Sequence, residues 1–327
     1  MDFEKLLKDH FKNRKVDEQD IKLILENVCI DYRLGKLIDF SKKIFGYQVF
    51  NLSFKTTKGK YFSKIFPSYS KEESQNYVDL MLQVISSGII SYPKLFKSNQ
   101  GFLYLINIHS FDYFLCVQEY IDGKNFYELN SDPSLEEVKK ITKQATLINQ
   151  INYKPKYFEE DTWATRYLLE QYTNKARALN LNEKKLIEPI LIEFREINLD
   201  KLPQSFTHGD LIHTNVMKDA NEKIWIVDFG VASFQPRIME LAVLFHDLFI
   251  DLESYKNTEL KRKIALEEYH KSIKLTEDEL RLLPILTKAT HAIYLLSSAY
   301  MLRILKEKST ETNYWYSRSK KALELDL

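Results

Sequence analysis

Hydrophobic residues along this chain follow two different periods. From about residue 35 to 121 they mostly alternate with polar ones. Before and after that stretch they recur every three or four positions. Alternation predicts strands over Leu52-Ser53-Phe54-Lys55-Thr56-Thr57 and Lys60-Tyr61-Phe62-Ser63-Lys64-Ile65-Phe66, joined by a turn at Lys58-Gly59. Ile106-Asn107-Ile108 and residues 114–120 predict a further antiparallel pair. Helical spacing predicts helices over 2–11 and 17–31, the second capped by Asp17 with Ile21, Ile24 and Leu25 on one face. A helix over 70–87 interrupts the strands, with Ser70 as N-cap and Glu73 closing a capping box. From 131 onward helices dominate. Ser134-Leu135-Glu136-Glu137 opens one with Leu135, Val138, Ile141, Ala145 and Ile148 as its buried stripe, and others are expected near 162–179, 182–196, 237–255, 257–271, 276–307 and 309–325. Strands gathered before helices predict an α+β fold. The expected division is a helical extension over 1–34, a β-rich lobe over 35–121 and a larger helical lobe over 122–327.

Composition narrows the classes. A chain of 327 residues can build two lobes with their own cores, and 44% hydrophobic with 28% charged residues suits a soluble globular protein. Lysine and arginine (47) nearly balance aspartate and glutamate (46), for a net charge of +1. That balance gives no field for nucleic acid, and no nucleic-acid partner is expected. Cys29 and Cys116 lie far apart in apolar surroundings, as in a reducing compartment, and the N-terminus lacks a signal-peptide pattern. A cytoplasmic location is therefore expected. The apolar region 282–304 contains Thr287, Lys288, His291 and Ser297-Ser298 and predicts a buried helix, not a membrane span.

The chemistry is concentrated in the middle of the chain. His208-Gly209-Asp210-Leu211 is followed by Asn215 and then by Asp228-Phe229-Gly230 at the end of the strand-like run Ile224-Trp225-Ile226-Val227. Phosphoryl transfer needs a carboxylate to accept the proton of an attacking hydroxyl, a task that suits Asp210. It also needs hard oxygen ligands to hold Mg²⁺ against the phosphates, and Asn215 and Asp228 can supply them. Ser205-Phe206-Thr207 leads into the loop in extended form. Val216-Met217-Lys218 can return beside 224–227 across the turn 219–222. No Walker A loop, dinucleotide glycine motif, zinc-protease helix or hydrolase elbow occurs.

This set resembles the aminoglycoside phosphotransferase, choline kinase and homoserine kinase superfamily, which has a two-lobed, protein-kinase-like fold. The resemblance implies ATP and Mg²⁺, with ATP in the cleft between lobes. It makes Asp210 the catalytic base, Asn215 and Asp228 the metal ligands, and His208 a structural residue of the loop. The family often has His-Pro-Gly before the asparagine; here Ile212-His213-Thr214 stands there. An ATP site of this type needs a strand lysine for the α- and β-phosphates, and Lys64 fits on an otherwise apolar strand face. Its expected carboxylate partner is Glu73, with Asp79 as the alternative. The family's adenine-binding linker is matched by 114–123, so Glu119 C=O and Ile121 N–H would meet the base. The phosphate-covering loop falls at 46–54, with Asn51 matching the family pattern and Ser53 able to contact phosphate.

Only Val231-Ala232-Ser233-Phe234-Gln235-Pro236 separates Gly230 from the next predicted helix, and no Ala-Pro-Glu follows. A protein kinase, which needs a longer activation segment, is the least favoured reading. The expected partner is a small-molecule hydroxyl acceptor: an aminoglycoside, an amino alcohol, homoserine or a sugar. Asp247 and Asp251, one helical turn apart, with Glu240 before them, are candidates for an ammonium group of the acceptor. His213 is a candidate for substrate or phosphate. Trp163 and Tyr314-Trp315-Tyr316 could form a cation–π cage. The alternative function is a nucleotide-binding pseudokinase that acts without turnover.

Overall fold

The computed structural model describes residues 7, 11, 15–41, 49–88, 91–155 and 161–327. The chain divides into two compact units: Met1–Gly88 with Tyr92–Asp122, and Ile89–Ser91 with Gly123–Leu327.

The first unit is built on an antiparallel five-stranded sheet. Its strands are β1 (Leu37–Phe40), β2 (Phe50–Thr56), β3 (Gly59–Phe66), β4 (Tyr104–Ile108) and β5 (Phe111–Glu119), in the order β1-β2-β3-β5-β4. Thr56 pairs with Gly59, so the β2–β3 turn is Thr57-Lys58, one residue earlier than expected. Helix α1 (Glu18–Asp31) starts where the Asp17 carboxylate accepts the N–H groups of Gln19 and Asp20 at 2.8 and 3.0 Å. Its buried Ile21, Ile24, Leu25 and Val28 share one core with Phe50, Leu52 and Phe54 of β2, Ile65 of β3, and Leu115 and Val117 of β5. Burial of each such side chain is worth roughly 1.5–3 kcal/mol. Of the helix expected over 2–11, only Leu7 and Phe11 are described; both are helical and lie in this core. The rest of that helix, and Gly46–Gln48 of the expected phosphate loop, lie outside the described residues.

The other set of alternating side chains includes a row across three strands, in which Asn51 pairs with Lys64 and Lys64 with Cys116. Helix α2 (Lys71–Ser87) begins with the expected Ser70/Glu73 capping box and buries Tyr77, Leu80, Met81 and Val84. Tyr77 meets Phe66 of β3 with ring centroids 5.2 Å apart.

The second unit carries two small antiparallel sheets among helices. β6 (Gly123–Asn125), β8 (Val216–Asp219) and β9 (Ile224–Ile226) form one in the order β6-β8-β9. β7 (Gln204–Thr207) pairs with β10 (Ser233–Pro236) to form the other. Gly123 lets β6 approach β8 closely: a Cβ there would stand 2.6 Å from the Lys218 carbonyl. After α3 (Phe126–Leu129), α4 (Leu135–Asn149) starts at the predicted Ser134 cap. Leu135, expected in its buried stripe, is exposed, because it sits on the outer side of the first turn.

Three helices differ from their expected spans. Residues 162–179 form two 3₁₀ turns flanking a short α5 (Leu168–Lys175). After α6 (Leu181–Arg195), α7 (Ile238–His246) stops about two turns early. Asp247 there leaves helical geometry, and its side chain turns to the 208–215 loop. Asp251 then organises the turn into α8 (Tyr255–His270) by accepting the N–H groups of Glu253 and Ser254. Helix α9 (Glu277–Arg303) is the 276–307 helix with its C-terminal turn released, and α10 (Thr310–Glu324) packs along it. Buried Glu183 of α6 takes both terminal nitrogens of Arg303, at 2.6 and 2.7 Å, and the Tyr316 hydroxyl of α10. Among the described residues no helix is long and apolar enough to cross a membrane.

Candidate active site

The loop 208–215 leaves β7 and returns into β8, and its geometry is fixed at nearly every residue. Gly209 has φ +81, a left-handed conformation cheap only for glycine, and a Cβ there would come within 3.3 Å of the Val231 carbonyl. The buried Glu240 carboxylate of α7 accepts the N–H groups of His208 and Gly209, each at 3.3 Å. His208 Nε2 lies 2.9 Å from the Val227 carbonyl, which can only accept, so that nitrogen carries the proton. Its Nδ1 is then free to accept the Asp210 N–H at 3.2 Å. The imidazole thus joins the loop to the strand end that presents Asp228, and its ring lies 4.4 Å from Phe229.

Asp210 is held at both carboxylate oxygens. Oδ2 accepts the Asn215 amide at 2.7 Å, and Oδ1 accepts the hydroxyl of Tyr294, from α9, at 2.8 Å. Asn215 Nδ2 also donates to the Asp210 carbonyl at 2.9 Å, while the Asn215 carbonyl takes the Val227 N–H at 3.0 Å. Asn215 and Asp228 are therefore stitched together through the backbone. Asp228 itself adopts φ +64, which is uncommon outside glycine, asparagine and aspartate. The Asp210 carboxyl is pushed up to about 7, first by burial and then by the charge of Asp161, with Asp228 adding; the bonds from Tyr294 and Asn215 oppose the rise. Burial, with Asp210 adding, also lifts the Glu240 carboxyl to about 8 against its two backbone donors.

The acidic row expected on α7 does not form. Glu240 anchors the loop. Asp247 is fully buried and accepts the His213 N–H at 2.7 Å and lies 2.6 Å from its Nδ1. Asp251 takes the Asn257 amide at 2.8 Å besides its two backbone donors. His213 Nε2 meets Asp132 at 3.1 Å. Arg318 of α10 reaches both acids, 2.9 Å from Asp132 and 3.2 Å from Asp247. His213 is buried, which favours its neutral form, yet Asp247 and Asp132 outweigh that and raise its pKa. Asp247 and His213 are thus taken up in a charged network that secures the loop, and Asp251 in a turn.

The aromatic residues also differ from an open cage. Trp163 and Trp315 meet the Tyr294 ring edge-on at 5.3 and 5.7 Å, and His246 lies 4.3 Å from it. Trp315 is buried, and Tyr316 is engaged with Glu183 and Arg303. His246 and His291 are a core pair, Nδ1 to Nδ1 at 2.8 Å, and burial holds both far below the usual histidine range.

In the first unit, Lys64 is buried, and its Nζ donates to the Tyr77 hydroxyl at 2.8 Å. Glu73 stands one turn before Tyr77 and is partly buried, with Oε2 accepting the Ser70 N–H at 2.6 Å. Asp79 is on the exposed side of α2, bonded to Gln75 at 2.8 Å. Ser53 lies two residues from Asn51 on β2. The Glu119 N–H is taken by the Lys94 carbonyl at 2.8 Å, and Ile121 is buried.

Solved structures share this fold. The amicoumacin kinase hAmiN, in complex with AMP-PNP, Ca²⁺ and Ami, has a TM-score of 0.65 at 18% identity, over 94% of this chain and 93% of that one. The choline kinase LicA from Streptococcus pneumoniae gives 0.59 at 15% identity, over 93% and 99%. A curated homoserine kinase from Methylobacillus flagellatus is 22% identical over 249 residues, 76% of this chain and 75% of that protein. The fold has a protein-kinase-like α+β architecture. The profile of the phosphotransferase enzyme family (APH) matches residues 49–268, more than half of the chain, and the chain belongs to that family.

Proposed function

We propose that the protein transfers the γ-phosphoryl group of ATP, with Mg²⁺, to a hydroxyl of a small molecule, with Asp210 as the base. The observation that carries this reading is the Asp210 carboxylate, pinned by Asn215 and Tyr294 beside the strand end that bears Asp228.

The donor set suits magnesium. The Asn215 amide nitrogen is turned to Asp210, which leaves its oxygen as the end for a cation, and Asp228 adds a carboxylate. Among the described residues no group of three or more His, Cys, Asp or Glu side chains could hold a metal ion. Two oxygen ligands, completed by phosphates and waters, are what magnesium requires. When bound, the ion would neutralise charge on the phosphates. Asp210 takes the proton from the acceptor hydroxyl; the acceptor oxygen bonds to the γ-phosphorus, and the bond from that phosphorus to the ADP oxygen breaks. His208 and Glu240 keep the loop in the geometry this needs.

Nucleotide contacts are assigned to the first unit. Lys64 binds the α- and β-phosphates with Glu73 as its partner. Asn51 and Ser53 contact phosphate, and Glu119 C=O and Ile121 N–H contact the adenine. The family resemblance supports these roles, as does the burial of a lysine and an asparagine in one cross-strand row. Glu73 is preferred to Asp79 because it shares the face of Tyr77, whose hydroxyl already takes Lys64. Homoserine heads the acceptor panel, since a relative carries that name; choline, ethanolamine, a sugar and an aminoglycoside complete it.

ADP release over this panel tests the reading. One acceptor class should stimulate turnover, and Asp210→Asn should lower it by at least about 10³-fold while calorimetric ATP affinity stays within about threefold. Full activity in that variant would remove the mechanism. ATP binding without turnover on any acceptor would favour the pseudokinase.

A further inference from the structure

Tyr294 contributes nothing to the sequence motif, yet it makes one of the two side-chain bonds to the proposed base. Its hydroxyl donates to Asp210 Oδ1 at 2.8 Å, opposite the Asn215 bond to Oδ2 at 2.7 Å. With donors at both ends, the carboxylate plane cannot rotate about its last torsion without breaking one of the bonds. An aspartate lacking one donor would turn broadly about that torsion. The phenol is itself immobilised. Trp163, Trp315 and His246 contact its ring, and His246 is bonded to His291, one turn before Tyr294 on α9. Tyr294 is 5% exposed, so its hydroxyl has little water to exchange with.

We infer that Tyr294 is a positioning residue for phosphoryl transfer: it sets the plane of the Asp210 carboxylate so that one remaining lone pair faces the acceptor hydroxyl. The inference rests on Asp210 being the base. Tyr294 does not take the proton. It keeps its own, and the acceptor's proton goes to Asp210. Near-attack geometry tolerates little error, and a carboxylate free to swing spends most of its time misaligned. The loss therefore falls on kcat, because neither ATP nor the acceptor needs the phenol in order to bind.

The test is Tyr294→Phe, which removes one oxygen and keeps the ring and its packing. The expected result is a fall in kcat of at least about tenfold, with KM for ATP and for acceptor each within about threefold and an unchanged melting temperature. In an Asp210→Asn background the same substitution should leave the residual rate unchanged, since both act through one group. A kcat within about twofold of the native value overturns the inference. So does an equal loss in both backgrounds, or a loss that tracks a fall in melting temperature; either would make Tyr294 merely structural. An Asp210→Asn enzyme with native activity sinks the underlying reading instead, so the two failures are distinguishable.

Discussion

As the proposed base, Asp210 must be ionised to accept a proton, but its surroundings resist ionisation. Burial is the first cause and Asp161 the second, and together they lift its carboxyl to about 7 against two hydrogen-bond donors. The sign for stability follows. A carboxyl raised in the folded state contributes stability below its unfolded value near 4, and that contribution is lost as pH rises through about 7. Activity gains over the same window. In kcat/KM for ATP, which reports the free enzyme, the acid limb should lie near this value. Asp161→Asn should move the limb to lower pH; an unmoved or raised limb would refute the electrostatic role of Asp161. That Asp210, Asn215 and Asp228, the proposed site residues, lie near one another was legible in the sequence, because a short loop and a hairpin bring them together. Tyr294 was not, since it lies 84 residues from Asp210 and meets it only through tertiary packing. A signal did exist: Thr287, His291, Tyr294 and Ser298 recur at helical spacing among the buried residues of α9. Asp161 had no such signal, as its effect depends on where a loop crosses the site.

At the scale of elements, three helices that follow the 208–215 loop in sequence converge on it. Glu240 of α7 accepts its backbone N–H groups, Tyr294 of α9 donates to its acid, and Arg318 of α10 bridges the acids that hold His213. Arg318 also donates to the carbonyls of Asp247 and Ile250, at 2.8 and 3.1 Å. Arg318→Met would take the guanidinium away from buried Asp247 and from Asp132. It should lower the unfolding free energy by about 3–5 kcal/mol, read by denaturant titration. A loss under about 1 kcal/mol would mean that the network adds no net stability. Capping residues gave the helix starts correctly at Asp17, Ser70 and Ser134, because a cap is a local bond between neighbours. Helix ends were read less well. The residues after His246 keep a helical pattern of apolar positions, and what stops α7 is the bond from Asp247 to a loop more than thirty residues upstream. Asp247 and Asp251 thus resembled a row of acids only on the assumption of a continuous helix.

For the molecule as a whole, nucleotide and metal should appear as linked stability. MgATP at about 100 times its dissociation constant should add about 2.7 kcal/mol. Chelation by EDTA should abolish turnover and remove that increment in a thermal melt; turnover that persists in EDTA would exclude the proposed role of Asn215 and Asp228. The β-rich and helical halves were legible as a change of period, since strands and helices repeat at 2 and 3.6 residues. The function of α1 was not, because an amphipathic helix does not name its partner. It lies on the apolar face of the sheet. The family match begins at 49, after that helix, and stops at 268, before Tyr294, Trp315 and Arg318. The recognisable stretch is therefore smaller than the working enzyme. A clone trimmed to those borders would strip the lid from one hydrophobic floor and the braces from the 208–215 loop. It would precipitate or idle even with every motif residue intact.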